Sequence, residues 1–153
     1  MHPRRLVKIS ALALPVVLVA CSGATPSASP PPVPSAAASR GTELVADIDV
    51  GGRTLHLVCL GPVVAGVPTV VLESGLGGPY NAWSEILTAL SPTHRVCAYD
   101  RAGLGASPPA PEAARTTADA VADLHAMLTA ATVSGPYLLV GHSSGAGTVS
   151  LYA

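Results

Sequence analysis

Five residues, Gly141-His142-Ser143-Ser144-Gly145, limit what this chain can fold into more than any other stretch. They follow Tyr137 to Val140, a short continuous apolar run of the kind that forms a buried parallel strand, and Gly135-Pro136 separates that run from what precedes it. Ala146 to Ala153 then reads as the first turns of a helix. A strand that passes directly into a helix at a serine needs a sharp backbone reversal, and Gly141 and Gly145 lack the Cβ atoms that would collide there. The pattern is G-x-S-x-G, with Ser143 held exposed on a strained turn. The N–H groups and positive dipole end of the following helix point at the same spot. In a chain with 15 Gly the bare pattern is weak, and its place between strand and helix is what favours Ser143 as a nucleophile over a Gly/Ser turn without chemistry.

The first forty or so of the 153 residues do not read as globular. His2, Arg4, Arg5 and Lys8 make a basic start, an apolar run extends through Ala20, and small residues follow, which is the layout of an export signal. Leu6 to Ala20 is broken by Lys8 and Pro15 and falls short of the roughly 20 apolar residues a membrane-spanning helix wants. Leu18-Val19-Ala20-Cys21 resembles the lipobox of bacterial lipoproteins, which implies a lipid on Cys21 as the mature N-terminus. The alternative is an ordinary signal peptide cut near Ala20 or Ala24. Residues 1–21 are therefore expected to be a signal peptide with lipobox, and residues 22–41 a Pro/Ser/Ala-rich disordered tether with no charge before Arg40. The globular part is residues 42–153. The expected location is the cell envelope, exported and anchored to the membrane by lipid, with plain secretion as the alternative.

From Ser22 onward five Lys/Arg face nine Asp/Glu, a net charge of −4 without a basic cluster, which argues against a nucleic-acid partner. No cluster of metal-ligating residues and no G-x-G-x-x-G after a strand is present, so neither metal nor cofactor is expected. The oligomeric state is left open.

Within the globular part, Glu43 to Asp49 and Arg53 to Leu60 alternate around Val50-Gly51-Gly52 as a hairpin. Thr69 to Leu72 reads as a short buried strand. Pro79 to Leu90 reads as a helix with Trp83, Ile86, Leu87 and Leu90 on its inner face, and Arg95 to Tyr99 as the next strand. Thr116 or Thr117 caps a further helix whose apolar face is Val121, Leu124, Leu128 and Ala131, with Asp119 placed to accept from the Thr116 backbone. Alternation of this kind predicts an α/β fold with a mainly parallel sheet, helices on both faces and right-handed crossovers. Sites in such sheets form outside the carboxyl ends of the strands, where the glycine loops 74–78, 103–105 and 141–147 fall.

Three motifs in order carry a resemblance to the α/β-hydrolase fold over residues 43–153. Thr69 to Gly78 resembles its strand and oxyanion loop, with Ser74-Gly75 where the family more often has His-Gly. Tyr99 to Ser107 resembles the next strand end, and Gly141 to Gly145 the nucleophile elbow. The resemblance implies a serine hydrolase acting on a small-molecule ester, amide or related acyl bond through a Ser-His-acid triad, with Ser143 as nucleophile. It implies the backbone N–H groups of Leu76 and Ser144 as oxyanion donors. In this fold the acid and the histidine come after the nucleophile, and Ser144 to Ala153 contain no Asp, Glu or His. The expectation is the N-terminal half of such a domain, truncated after the elbow, inactive alone and with an unpaired sheet edge beside the elbow strand. A non-catalytic envelope lipoprotein serving as a binding or interaction module is the alternative.

His56, His94 and His125 read as surface or packing residues, and His142 as the variable position of the elbow. Asp100 is expected to fix its turn by accepting backbone N–H groups, and Glu73 to serve as a buried hydrogen-bonding group or, failing that, to touch substrate. The strand order implied by the resemblance makes the second and fourth strands neighbours. Cys59 and Cys97, which remain once Cys21 is lipidated, are then a candidate disulfide in an oxidising compartment, against two buried free thiols.

Overall fold

The structure is a computed structural model that describes residues 43–111 and 114–153. The signal segment 1–21, with Cys21, and the tether 22–41 lie outside the described residues. Strands β1 (Leu44–Asp49), β2 (Thr54–Leu60), β3 (Thr69–Glu73), β4 (Val96–Tyr99) and β5 (Tyr137–Gly141) form one sheet of order β1-β2-β4-β3-β5. Among the described residues three α-helices accompany them: α1 (Ser84–Leu90), α2 (Thr117–Ala130) and α3 (Ser144–Tyr152). The hairpin closes because Asp49 accepts the N–H groups of Gly51 and Gly52 at 2.8 and 3.0 Å, with both glycines at positive φ. β2 pairs antiparallel with β1 and β4, whereas β3 is parallel to β4 and to β5, so β2 alone runs against the other four.

Period-two alternation sends the strand side chains to opposite faces, and each face has its own core. Leu55, Leu57, Cys59, Val71, Cys97 and Tyr99 pack with Leu124, Met127 and Leu128 of α2, and Tyr152 of α3 joins them. On the other face Val70, Leu72, Val96 and Ala98 pack with Leu87 of α1. Cys59 and Cys97 are direct partners across the antiparallel β2-β4 ladder, fully buried on the α2 face, with their sulfurs 2.08 Å apart as a disulfide.

Local chemistry sets the helix starts. Asp119 N–H donates to the Thr116 hydroxyl at 3.2 Å while the Asp119 carboxylate accepts from Thr116 N–H at 2.7 Å, a reciprocal cap worth about 1 kcal/mol. The Thr116 N–H and then the Thr116 hydroxyl, both donating to that carboxylate, hold the Asp119 carboxyl below its ordinary range. The inner face of α2 is Asp123, Leu124, Met127 and Leu128, rotated from the expected Val121-Leu124-Leu128-Ala131 stripe, because Asp123 turns inward to Arg53 and Arg115. Residues 79–90 are not one α-helix. Tyr80–Trp83 forms a 3₁₀ turn ahead of α1, and of the expected inner residues only Leu87 is buried, with Ile86 43% exposed. Two tethers accompany that tighter turn: Tyr80 N–H donates to Asp100 at 2.6 Å and Trp83 Nε1–H to the Ser74 hydroxyl at 2.8 Å.

β5 differs from the fully buried strand its sequence suggests. Among the described strands it is the edge expected beside the elbow, paired with β3 alone, and Leu138 is 55% exposed. Tyr137 and Leu139 pack into the α2 face, so one side of the apolar run is covered while Leu138 on the other faces solvent.

Candidate active site

Ser143 has φ 53° and ψ −121°, the left-handed side of backbone space that an L-residue enters at a cost of about 1–3 kcal/mol. The reversal survives because the flanking glycines let the elbow press onto the end of β3. A Cβ on Gly141 would lie 2.6 Å from the Gly145 carbonyl, and one on Gly145 would lie 2.5 Å from the Glu73 carbonyl and 2.7 Å from that of Ser74. His142 N–H donates to the Glu73 carbonyl at 3.0 Å, and Gly145 and Ala146 donate back to His142 and Ser143 at 2.9 and 3.0 Å. The Ser143 side chain therefore stands exposed at the start of α3. Ser144 is the first residue of that helix, so its N–H has no acceptor within it.

The loop after β3 approaches the same point. A Cβ on Gly75 would lie 2.9 Å from His142 Nδ1 and 3.3 Å from the Ser143 Cβ. Gly78 N–H donates to the Gly75 carbonyl at 3.1 Å and closes the turn, with Gly77 at φ 72°. Leu76 stands at its crest, 90% exposed. Ser74 occupies the position where the resembled family more often has histidine, and its hydroxyl accepts from Trp83 and donates to the Pro79 carbonyl at 3.3 Å, tying the loop to the 3₁₀ turn. A cleft of about 660 Å³ opens here, lined among others by Gly75, Leu76, Trp83, Ile86, His142 and Ser143.

Asp100 is a turn organiser. Both carboxylate oxygens are engaged, one by Tyr80 N–H and the other by Ala106 N–H at 2.8 Å, and its carbonyl accepts from the Ser107 hydroxyl at 2.6 Å. Gly105, at φ 52°, has no room for a Cβ, which would lie 2.0 Å from the Asp100 carboxylate. Glu73 is fully buried on the α2 side of the sheet, where its Oε2 accepts from the Tyr99 hydroxyl at 2.5 Å. Its Oε1 lies 3.5 Å from Arg101 Nη1 and has no hydrogen-bond partner. Burial pushes the Glu73 carboxyl above its ordinary range, against the opposing pull of the Tyr99 hydrogen bond and the Arg101 charge. The same environment, burial first and then the Glu73 charge, pushes the Tyr99 phenol well up. Arg101, to which no sequence motif assigns a role, bonds through Nη2 to the Gly75 carbonyl. Its only sequence signal was a cation placed just after a strand end.

Three of the four described histidines are engaged elsewhere. His56 pairs with Asp47 at 2.7 Å, His94 with the Thr93 hydroxyl at 2.8 Å, and His125 approaches the Tyr152 hydroxyl at 3.4 Å. His142 is exposed beside Gly75. Among the described residues none is hydrogen-bonded to the Ser143 hydroxyl, and no group of three or more metal-ligating side chains forms. Among them, too, no helix is long and apolar enough to cross a membrane.

Known proteins resemble parts of this chain. The sequence model of the family described as "alpha/beta hydrolase fold" matches residues 68–153. A protein of Escherichia coli O44:H18 designated carbamate hydrolase RutD is 40% identical over 85 residues, which is 56% of this chain and 31% of that protein. The Hormonema carpetanum protein efuK, designated a transporter, is 37% identical over 98 residues, 63% of this chain and 14% of its own length. Among solved structures, the Vigna radiata epoxide hydrolase VrEH1 superposes with a TM-score of 0.59 at 22% identity, over 72% of this chain and 34% of that one, a likeness of fold. The chain thus spans a minor part of the length of each of these relatives.

Proposed function

The chain belongs to the α/β-hydrolase fold family, and from that premise we propose that it carries the nucleophile half of a serine hydrolase acting on ester, amide or related acyl bonds. The observation that carries this reading is the Ser143 backbone at φ 53° between two glycines without room for a Cβ, at the mouth of a cleft. A fold keeps a strained, non-glycine residue in such a place when its side chain has work to do. In the proposed reaction the Ser143 Oγ attacks the acyl carbon and the carbonyl oxygen takes up the negative charge. The N–H groups of Leu76 and Ser144 stabilise that oxyanion, and collapse expels the alcohol or amine. Water then releases the acyl group from Ser143. The hydroxyl proton needs a histidine base oriented by an acid, and no described histidine is hydrogen-bonded to Ser143.

The relatives' names span carbamate and epoxide hydrolysis, so the acyl class is a proposal drawn from the serine and not from any one of them. The proposed setting is the cell envelope, with a lipid on Cys21 and residues 22–41 as the tether; membrane release of Cys21→Ser tests it. The whole gene product should be labelled by a fluorophosphonate probe. Ser143→Ala should abolish the label, a loss of more than about 10³-fold, while Ser144→Ala, which keeps its N–H, retains it. An unlabelled wild type whose gene encodes no later acid and histidine would favour a non-catalytic binding module instead.

A further inference from the structure

We propose that Arg101 is a positioning residue of this site: by holding the Gly75 carbonyl it orients the Gly75-Leu76 peptide so that the Leu76 N–H faces the oxyanion. The inference rests on the function proposed above and adds a residue to it. Gly75-Leu76 is a trans peptide, so its C=O and N–H point in opposite directions from one rigid plane. Arg101 Nη2 and Gly78 N–H both hold the carbonyl, which fixes the plane from one side. Ser143 and His142 crowd Gly75, so the peptide that Arg101 holds is the one beside the nucleophile.

The guanidinium suits this task better than a neutral donor. It is planar, always charged and multidentate, so Nη1 can face Glu73 while Nη2 serves Gly75. A cation on the carbonyl also polarises the peptide and strengthens its N–H as a donor. Glu73 anchors the cation in turn, and Tyr99 anchors Glu73 across the β3-β4 ladder. The chain of contacts therefore runs from the sheet core, through Tyr99, Glu73 and Arg101, to the peptide over the site. It also gives a use to the buried Glu73 carboxylate, whose Oε1 has no hydrogen bond.

The test uses the whole gene product with p-nitrophenyl butyrate as substrate and the fluorophosphonate label as a count of competent sites. Arg101→Gln should lower kcat by about 10- to 100-fold per labelled site, below the 10²–10³ that follows loss of an oxyanion donor outright. KM should change by less than about threefold, since the interaction matters chiefly in the transition state. Affinity for a trifluoromethyl ketone, whose adduct with serine carries the oxyanion, should fall by the same factor as kcat/KM. Arg101→Lys should recover part of kcat, and Glu73→Gln should lower it by a smaller factor than Arg101→Gln. An unchanged kcat per labelled site, or loss confined to KM, in Arg101→Gln overturns the inference while leaving Ser143 as nucleophile. Should Arg101→Gln not fold, Arg101→Lys decides by the ratio of ketone affinity to substrate KM, where no change overturns the inference. A wild type that is not labelled at Ser143 overturns the proposed function, and this inference with it.

Discussion

Asp123 and Glu73 are both nearly buried carboxylates paired with arginine on the same side of the sheet, yet their surroundings differ. Asp123 has an arginine on each oxygen, Arg53 ahead of β2 and Arg115 ahead of α2. It ties helix to hairpin, and its partners come from segments far apart in sequence. Glu73 has one arginine at 3.5 Å and one tyrosine, and that arginine also serves the loop beside Ser143. Two oxygens each met by a cation make a clamp, and one oxygen left without a hydrogen bond at a strand end leads to the site. Each assembly keeps one buried polar atom without a hydrogen bond, Arg53 Nη1 in the clamp and Glu73 Oε1 at the strand end, so what separates them is where the arginines lead: Arg101 goes on to the loop beside Ser143, whereas Arg53 and Arg115 meet on Asp123.

Removing the clamp should have the largest effect. Asp123→Ala strips two partly buried cations of a shared partner and should cost about 3–5 kcal/mol by denaturant unfolding, with activity per labelled site unchanged. A fall in activity per site would erase the distinction between the two carboxylates. Replacing Cys59 and Cys97 together by serine tests the covalent counterpart of that clamp. A link closing 38 residues contributes about 4 kcal/mol in the chain-entropy model, so melting should fall by roughly 15 °C or more. An unchanged melting temperature when the wild type is unfolded in the presence of reductant would mean the thiols are free in solution.

Effects at the site end should be smaller on stability. Ser143→Gly relieves the positive φ and should raise stability by about 1 kcal/mol while abolishing the label, whereas Ser143→Ala abolishes the label without that gain. Equal stabilities would mean the elbow stores no strain. The Glu73 titration is the finest test. Because burial raises its carboxyl in the folded state, the folded form holds the proton more tightly, and the favourable contribution is complete below the ordinary value of 4.5. It is lost as pH rises through the folded value. Glu73→Gln should flatten that part of the stability profile, and an unaltered profile would deny Glu73 its raised titration.

The elements themselves were legible in the sequence wherever one local rule decided them. The Thr116 cap needs only Asp119 three residues on, and the turn at Asp100 needs only the glycine spacing that lets its carboxylate reach Ala106. The elbow at Gly141 to Gly145 was readable because steric exclusion of a Cβ leaves glycine as the residue for both flanks. Less legible were the inward face of α2 and the split of residues 79–90. Asp123 turns in to arginines 8 and 70 residues away, and Asp100 and Ser74 reach across from other loops to hold Tyr80 and Trp83.

By itself, then, the sequence determined the strand and helix order, the strained serine and its glycine neighbours, because each follows from sterics or hydrogen bonding within a few residues. Which charges meet was decided only when the sheet assembled. The parallel pairing of β3 with β4 brings Glu73 beside Tyr99, and from the following turn Arg101 reaches the Gly75 carbonyl, 26 residues earlier in the chain. Periodicity carries no record of that contact, since a guanidinium finds its acceptor through space and the acceptor is a backbone atom that every residue possesses.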